Sequence, residues 1–142
     1  MATRRPPLSV LSKCAAGLSL FIGVGAVAGS AMMWLAPEAS RMNELLPDLQ
    51  KLPLADVFFT SLVWPGVFLL LVNGLPQVWA AVLVLQRRRG ASHLVVACGL
   101  MLLGWIAIQF VVFPLNWLSS LYGLFAVVEL GLGLSLLRTG RS

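Results

Sequence analysis

Apolar residues in this chain come in long, nearly unbroken runs, not in the alternation of a half-buried strand. The first run is Cys14 to Ala36, stopped by Pro37; the third is Leu94 to Phe113, stopped by Pro114; the fourth is Trp117 to Leu137. Each holds about 20 residues, which at about 1.5 Å per residue crosses a hydrocarbon layer of about 30 Å. The second run, Val57 to Leu85, is longer. Counting back from Arg87 at the inner surface places Pro65 about 33 Å away, already at the outer interface. Proline suits the first turn of a helix, where its missing N–H has no partner to lose. The second span is therefore expected to start near Pro65-Gly66, leaving Leu54 to Trp64 as a separate segment in the outer leaflet. The alternative is one long tilted helix kinked at Pro65.

These runs predict spans at about 14–36, 65–86, 92–113 and 117–137 within a membrane domain 14–137, with tails 1–13 and 138–142. An outer loop covers 37–64. In it Met42, Leu45, Leu46, Leu49 and Leu52 recur at helical spacing between Arg41, Glu44, Asp48 and Lys51. Such a stripe predicts a short amphipathic piece lying on the membrane or over the bundle mouth. Pro47 interrupts the stripe and is expected to hinge it into two turns. The predicted fold is all-α: an antiparallel four-helix transmembrane bundle with a short amphipathic outer segment.

Composition supports this picture, and charge orients it. The 142 residues suit one domain; 59% are hydrophobic and 11% charged, where soluble domains carry about 25% charged residues. Mean hydropathy is +0.93. The net charge of +5 is not spread over a surface: Arg4, Arg5, Lys13, Arg87, Arg88, Arg89, Arg138 and Arg141 all flank the apolar runs. Cations so placed mark the cytoplasmic side of a membrane, not a nucleic-acid surface. The loop from Pro37 to Asp56 holds Glu38, Glu44, Asp48 and Asp56, four of the five acidic residues. Both tails and the Gln86–Gly90 turn are thus expected in the cytoplasm, with that loop and the Pro114–Asn116 turn outside. A basic start followed by Ala28-Gly29-Ser30-Ala31 also resembles a cleavable signal peptide. The apolar run continues through Met32, Met33, Trp34 and Leu35, which favours an uncleaved span.

Polar residues at depth are the informative ones, because each must be satisfied or solvated. Glu129 is the only carboxylate inside a span and lies nine residues before Arg138, hence about 13 Å from the inner surface. A carboxylate there costs about 2.5 kcal/mol or more, so it must face the bundle, be protonated or meet a partner. Gln77, ten residues before Arg87, lies about 15 Å from the same surface. A Gln77–Glu129 hydrogen bond is therefore allowed, with Asn73 one turn further out on the same side. Pro76 lacks an N–H and releases the Val72 carbonyl, and Gly74 weakens the same turn, which predicts a kinked polar patch. Tyr122, two turns before Glu129, is placed to line the same cavity. Asn73, Gln77, Glu129 and Tyr122 are thus the candidate ligand-binding or polar intramembrane cluster. They form either a clasp worth about 0.6 kcal/mol per bond or a small-molecule or proton site.

No catalytic set, metal ligands or cofactor are predicted. Cys14 and Cys98 read as packing residues without a disulfide. Gln109 and Asn116, with Trp117, Trp34 and Trp64, fit an outer aromatic belt, and His93 a solvated flank. Trp79 and Trp105 are deeper and are expected to pack in the bundle. Gly25 and Gly29 make a GxxxG amid Gly17 and Gly23, and Gly131 and Gly133 follow Glu129; such residues permit close approach within the bundle or between copies.

Trp64-Pro65-Gly66, Asn73-Gly74, the arginine turn, Gly104-Trp105-Ile106 with Gln109, Trp117-Leu118 and Tyr122-Gly123 together are similar to a group of small four-helix bacterial membrane proteins. They also resemble the DoxX-like group, over roughly Ala15 to Leu137. The resemblance implies four helices and a bacterial source; it brings no agreed activity and no catalytic residues. The expected function is that of a non-enzymatic protein of the bacterial cytoplasmic membrane. It would act as an accessory subunit or as a binder of a lipid or small hydrophobic molecule. A homo-oligomeric transporter or proton-coupled carrier using Glu129 is the alternative, and a membrane enzyme acting on lipid or quinone the third. Expected partners are the lipid bilayer and a membrane protein or a second copy, with no nucleic acid.

Overall fold

The computed structural model describes residues 7–36, 38, 42–112 and 117–140. Arg4, Arg5, Pro37, Arg41, the 113–116 turn and Arg141 lie outside the described residues, as do the side chains at 42, 43 and 45. Among the described residues the regular structure is helical, without strands.

Helix α1, Val10–Leu35, starts four residues before the predicted span because Ser9 caps it, its hydroxyl accepting from the Ser12 N–H at 3.1 Å. Helix α2 is Met42–Leu49, and Pro47 lies inside it. The expected hinge is absent: one missing N–H does not break the helix, and the Gln50 N–H bonds the Leu46 carbonyl at 3.0 Å. A short α3, Ala55–Phe58, follows as a separate segment. Helix α4, Val63–Leu69, then runs through a π-turn, Leu70–Gly74, into α5, Leu75–Leu85. These three make one span, Val63–Leu85, which begins two residues before Pro65 and keeps that proline in its first turn. Helices α6, Ala91–Val112, and α7, Trp117–Thr139, complete the chain. Four helices, α1, α4–α5, α6 and α7, are long and apolar enough to cross a membrane.

Helix α1 packs on α4, the π-turn, α5 and α7, while α6 packs on α5 and α7, closing a ring in chain order. Close contacts follow in descending order on one helix as they ascend on its neighbour. Gly23 meets Val78, Val27 meets Gly74 and Gly29 meets Leu69; likewise Gly99 meets Leu130 and Gly123 meets Ile106. That order belongs to neighbours running in opposite directions.

With apolar residues on every face, size more than polarity separates core from lipid side. The inward face of α1 is Ser12, Ala15, Ala16, Ser19, Ile22, Gly23, Ala26, Ser30 and Met33, and its outward face carries Leu20, Phe21 and Val24. Two expectations fail on this point. Trp79 is 59% exposed, because Gln77, Ala80, Ala81 and Val84 fill the inward face of α5. Cys14 is exposed, displaced by Ala15 and Ala16, while Cys98 is buried as expected. Trp105 packs against the core cluster of Ile22, Leu102, Ile106 and Ala126.

Candidate functional site

Glu129 is fully buried, and Gln77 and Asn73 are each 1% exposed. Both carboxyl oxygens of Glu129 are engaged: Oε1 accepts from Ser19 Oγ at 2.6 Å and Oε2 from Gln77 Nε2 at 2.7 Å. The carboxyl thus ties α7 to α1 and α5. None of its hydrogen-bond partners is cationic; Lys13, Arg87, Arg88, Arg89 and Arg138 stand at the ends of the spans.

Glycines bring the helices close enough for these short bonds. A Cβ on Gly23, one turn from Ser19, would stand 2.9 Å from the Val78 nitrogen and 3.1 Å from Gln77 Cβ. A Cβ on Gly99 would stand 2.9 Å from the Leu130 nitrogen, next to Glu129, and one on Gly133 would lie 2.9 Å from the Val96 nitrogen. Of the expected GxxxG pair, Gly29 faces Leu69 and Gly25 faces the Tyr122 hydroxyl, while the tightest backbone approaches fall at Gly23, Gly99 and Gly133.

The kink expected at Pro76 takes the form of a widened turn. Leu75 N–H bonds the Leu70 carbonyl, five residues back, and Pro76 follows with no N–H to give. Asn73 sits in that turn with neither Nδ2 nor Oδ1 hydrogen-bonded within the protein, and Gln77 Oε1 is also without a partner. Each such buried atom costs about 1–3 kcal/mol, and π-turns inside helices are frequent at functional sites.

The structure therefore brings Gln77 and Glu129 together, sets Asn73 one turn away and unpaired, and adds Ser19. Tyr122 stays outside the hydrogen-bond set. Its ring meets Phe125 edge-on at 5.7 Å, and its hydroxyl lies against Gly25. Ser19 was missed by depth counting because a lone serine in a span is unremarkable by type. The available signal was its place in the small-residue face of α1, at spacings of four and three with Gly23 and Ala26.

A second feature lies toward the start of α7. Leu103, Ile106, Ala107, Phe110, Ser120 and Gly123 line a lateral groove of about 440 Å³ between α6 and α7. Its walls are apolar apart from the Ser120 hydroxyl. Nearby, Ser119 Oγ donates to Gln109 Oε1 at 3.0 Å. Among the described residues no three His, Cys, Asp or Glu side chains converge as metal ligands would.

Fold and site define a class: an all-helical protein with four helices able to cross a membrane and a polar cluster buried between three of them. Comparison with family models, curated proteins and solved structures found no match.

Proposed function

We propose that this chain is a non-enzymatic, polytopic protein of the bacterial cytoplasmic membrane that binds a lipid acyl chain, alone or as an accessory subunit of a larger membrane complex. The observation that carries this reading is the groove between α6 and α7. Its size is that of a small-molecule site, its lining is almost wholly apolar, and Leu103, Ala107 and Phe110 are exposed along it. Lys13, Arg88, Arg89 and Arg138 are exposed at one end of the bundle, which supports cytoplasmic termini. A lone carboxyl with both oxygens engaged supplies no acid–base pair, which supports a non-enzymatic role. Kinship with the small DoxX-like four-helix proteins belongs to the same proposal.

Native mass spectrometry of the full chain tests the reading. The wild type should retain lipid-sized adducts that Ala107→Trp, which fills the groove, loses while remaining folded. Equal adducts on both proteins would remove the groove from the account, and a stable protein partner on gentle purification would support the accessory role.

The unpaired Asn73 amide and the unpaired Gln77 Oε1 beside Glu129 favour a second reading, a homo-oligomeric proton-coupled carrier working through Glu129. Glu129→Gln should then abolish flux or its pH dependence in proteoliposomes, and unchanged transport would dismiss that role.

A further inference from the structure

The cluster around Glu129 carries chemistry that lipid binding does not use. Its oxygens come from four side chains on three spans: Ser19 Oγ, Asn73 Oδ1, Gln77 Oε1 and the two carboxyl oxygens of Glu129. Asn73 Oδ1 and Gln77 Oε1 belong to side chains only 1% exposed and have no hydrogen-bond partner in the protein. Carboxylate, amide and hydroxyl oxygens buried on adjoining turns of packed helices are the donor types of a hard cation.

Charge narrows the class. Glu129 is the only carboxylate within a span, and among the described residues Lys13, Arg87, Arg88, Arg89 and Arg138 stand at the span ends and Lys51 between α2 and α3. The titratable group facing Glu129 from a neighbouring helix is Cys98 on α6, which brings no positive charge. Ionised by a bound cation, Glu129 would bring one negative charge to match one positive charge, whereas calcium sites gather several carboxylates. The few oxygens present suit the low coordination number of sodium better than that of potassium.

The local backbone fits the same occupant. The π-turn places Asn73 in the interior one turn from Gln77, and Pro76 withholds an N–H from the carbonyls beside it. In several membrane transporters, backbone carbonyls freed where a helix is interrupted coordinate sodium. Gln77 serves two purposes at once, with Nε2 on the carboxyl and Oε1 free for an ion.

We propose that Ser19, Asn73, Gln77 and Glu129 form a binding site for one monovalent metal cation, sodium, held between α1, the α4–α5 span and α7. The site does not depend on lipid in the groove, nor on transport.

The test is thermal unfolding of the full chain in detergent, followed by tryptophan fluorescence, as sodium chloride replaces choline chloride at constant ionic strength and pH. A saturable rise in unfolding temperature, smaller with potassium, is expected. Asn73→Leu should raise the sodium needed for half the rise by about tenfold or more, the loss of one good ligand. Ser92→Ala, at a buried unpaired hydroxyl near the start of α6, should respond like the wild type. Should Asn73→Leu fail to fold, sodium NMR relaxation on the wild type decides alone, with broadening expected and its reversal by excess lithium. No sodium dependence, an equal response in folded Asn73→Leu, or a response to pH without one to sodium would each overturn the site. The groove has its own readout in retained lipid, so failure here leaves that reading standing.

Discussion

Replacing Gln77 and Glu129 by leucine, singly and together, measures what the clasp contributes. Glu129→Leu removes two inter-helix hydrogen bonds, from Ser19 at 2.6 Å and from Gln77 at 2.7 Å. Such bonds in membrane proteins average about 0.6 kcal/mol, with a maximum near 1.7 kcal/mol, because the separated helices also find partners. Two average bonds give about 1.2 kcal/mol, and the stranded Ser19 and Gln77 donors, both buried, push the loss toward about 2 kcal/mol. Gln77→Leu removes one bond and should cost about half as much. The double variant should then lose less than the sum, with a coupling of about 0.6–1.7 kcal/mol. Glu129→Gln is the control. Its amide oxygen accepts one of the same bonds and its NH₂ is able to donate to Ser19 Oγ, so stability should stay within about 0.5 kcal/mol of wild type. The assay is reversible unfolding in mixed detergent–lipid micelles, with the fraction folded read by circular dichroism. Additive single effects, within about 0.3 kcal/mol, would refute the clasp as an energetic link between α5 and α7.

Two further outcomes follow from the packing. Gly99→Ala places a methyl 2.9 Å from the Leu130 nitrogen and should destabilise by about 1–3 kcal/mol. Gly104→Ala, on the same helix with nothing within 4 Å, should stabilise by about 0.5–1 kcal/mol through helix propensity; the same melts compare them, and equal effects would contradict the close approach of α6 and α7. For orientation, a fluorescent-protein fusion at the C-terminus should be bright and an alkaline phosphatase fusion there inactive, and the reverse pair would place that end outside.

The spans were legible because lipid leaves a coarse mark. A run of about 20 apolar residues has few soluble uses, and the prolines and arginines bracket each run. The ends were less legible. The α1 start depends on the Ser9 hydroxyl reaching the Ser12 N–H, a local bond that hydropathy does not register. Pro47 interrupts the apolar stripe but not the helix, for the converse reason: a proline withholds one N–H, and a short helix keeps its course when the next bond, Gln50 to Leu46, is made. Which face of a span turns inward was least legible. Trp79 and Cys14 were misplaced because hydropathy ranks them as core-like, yet inside this bundle alanine, glycine and serine take the core and large side chains face outward.

The polar cluster shows the same division at finer grain. Depth along a helix is arithmetic, so the levels of Gln77 and Glu129 followed from counting at about 1.5 Å per residue. Azimuth is not, because it depends on how closely neighbouring backbones approach, and that is decided by glycines whose partners lie on other helices. Gly23 lets α1 meet α5 at Gln77 and Gly99 lets α6 meet the backbone beside Glu129; the same approach brings Ser19 within 2.6 Å of the carboxyl. Tyr122 was excluded in the same way, its hydroxyl meeting Gly25 rather than Glu129. The π-turn adds the last step. An unbroken α-helix would satisfy Pro76 no better, but the wider turn changes how Asn73 is presented inside the bundle, where its amide finds no partner in the chain. A clasp that served packing alone would gain nothing from that amide. A leucine there would remove the unpaired atoms, so Asn73 is the residue on which the proposed cation site and a packing clasp differ.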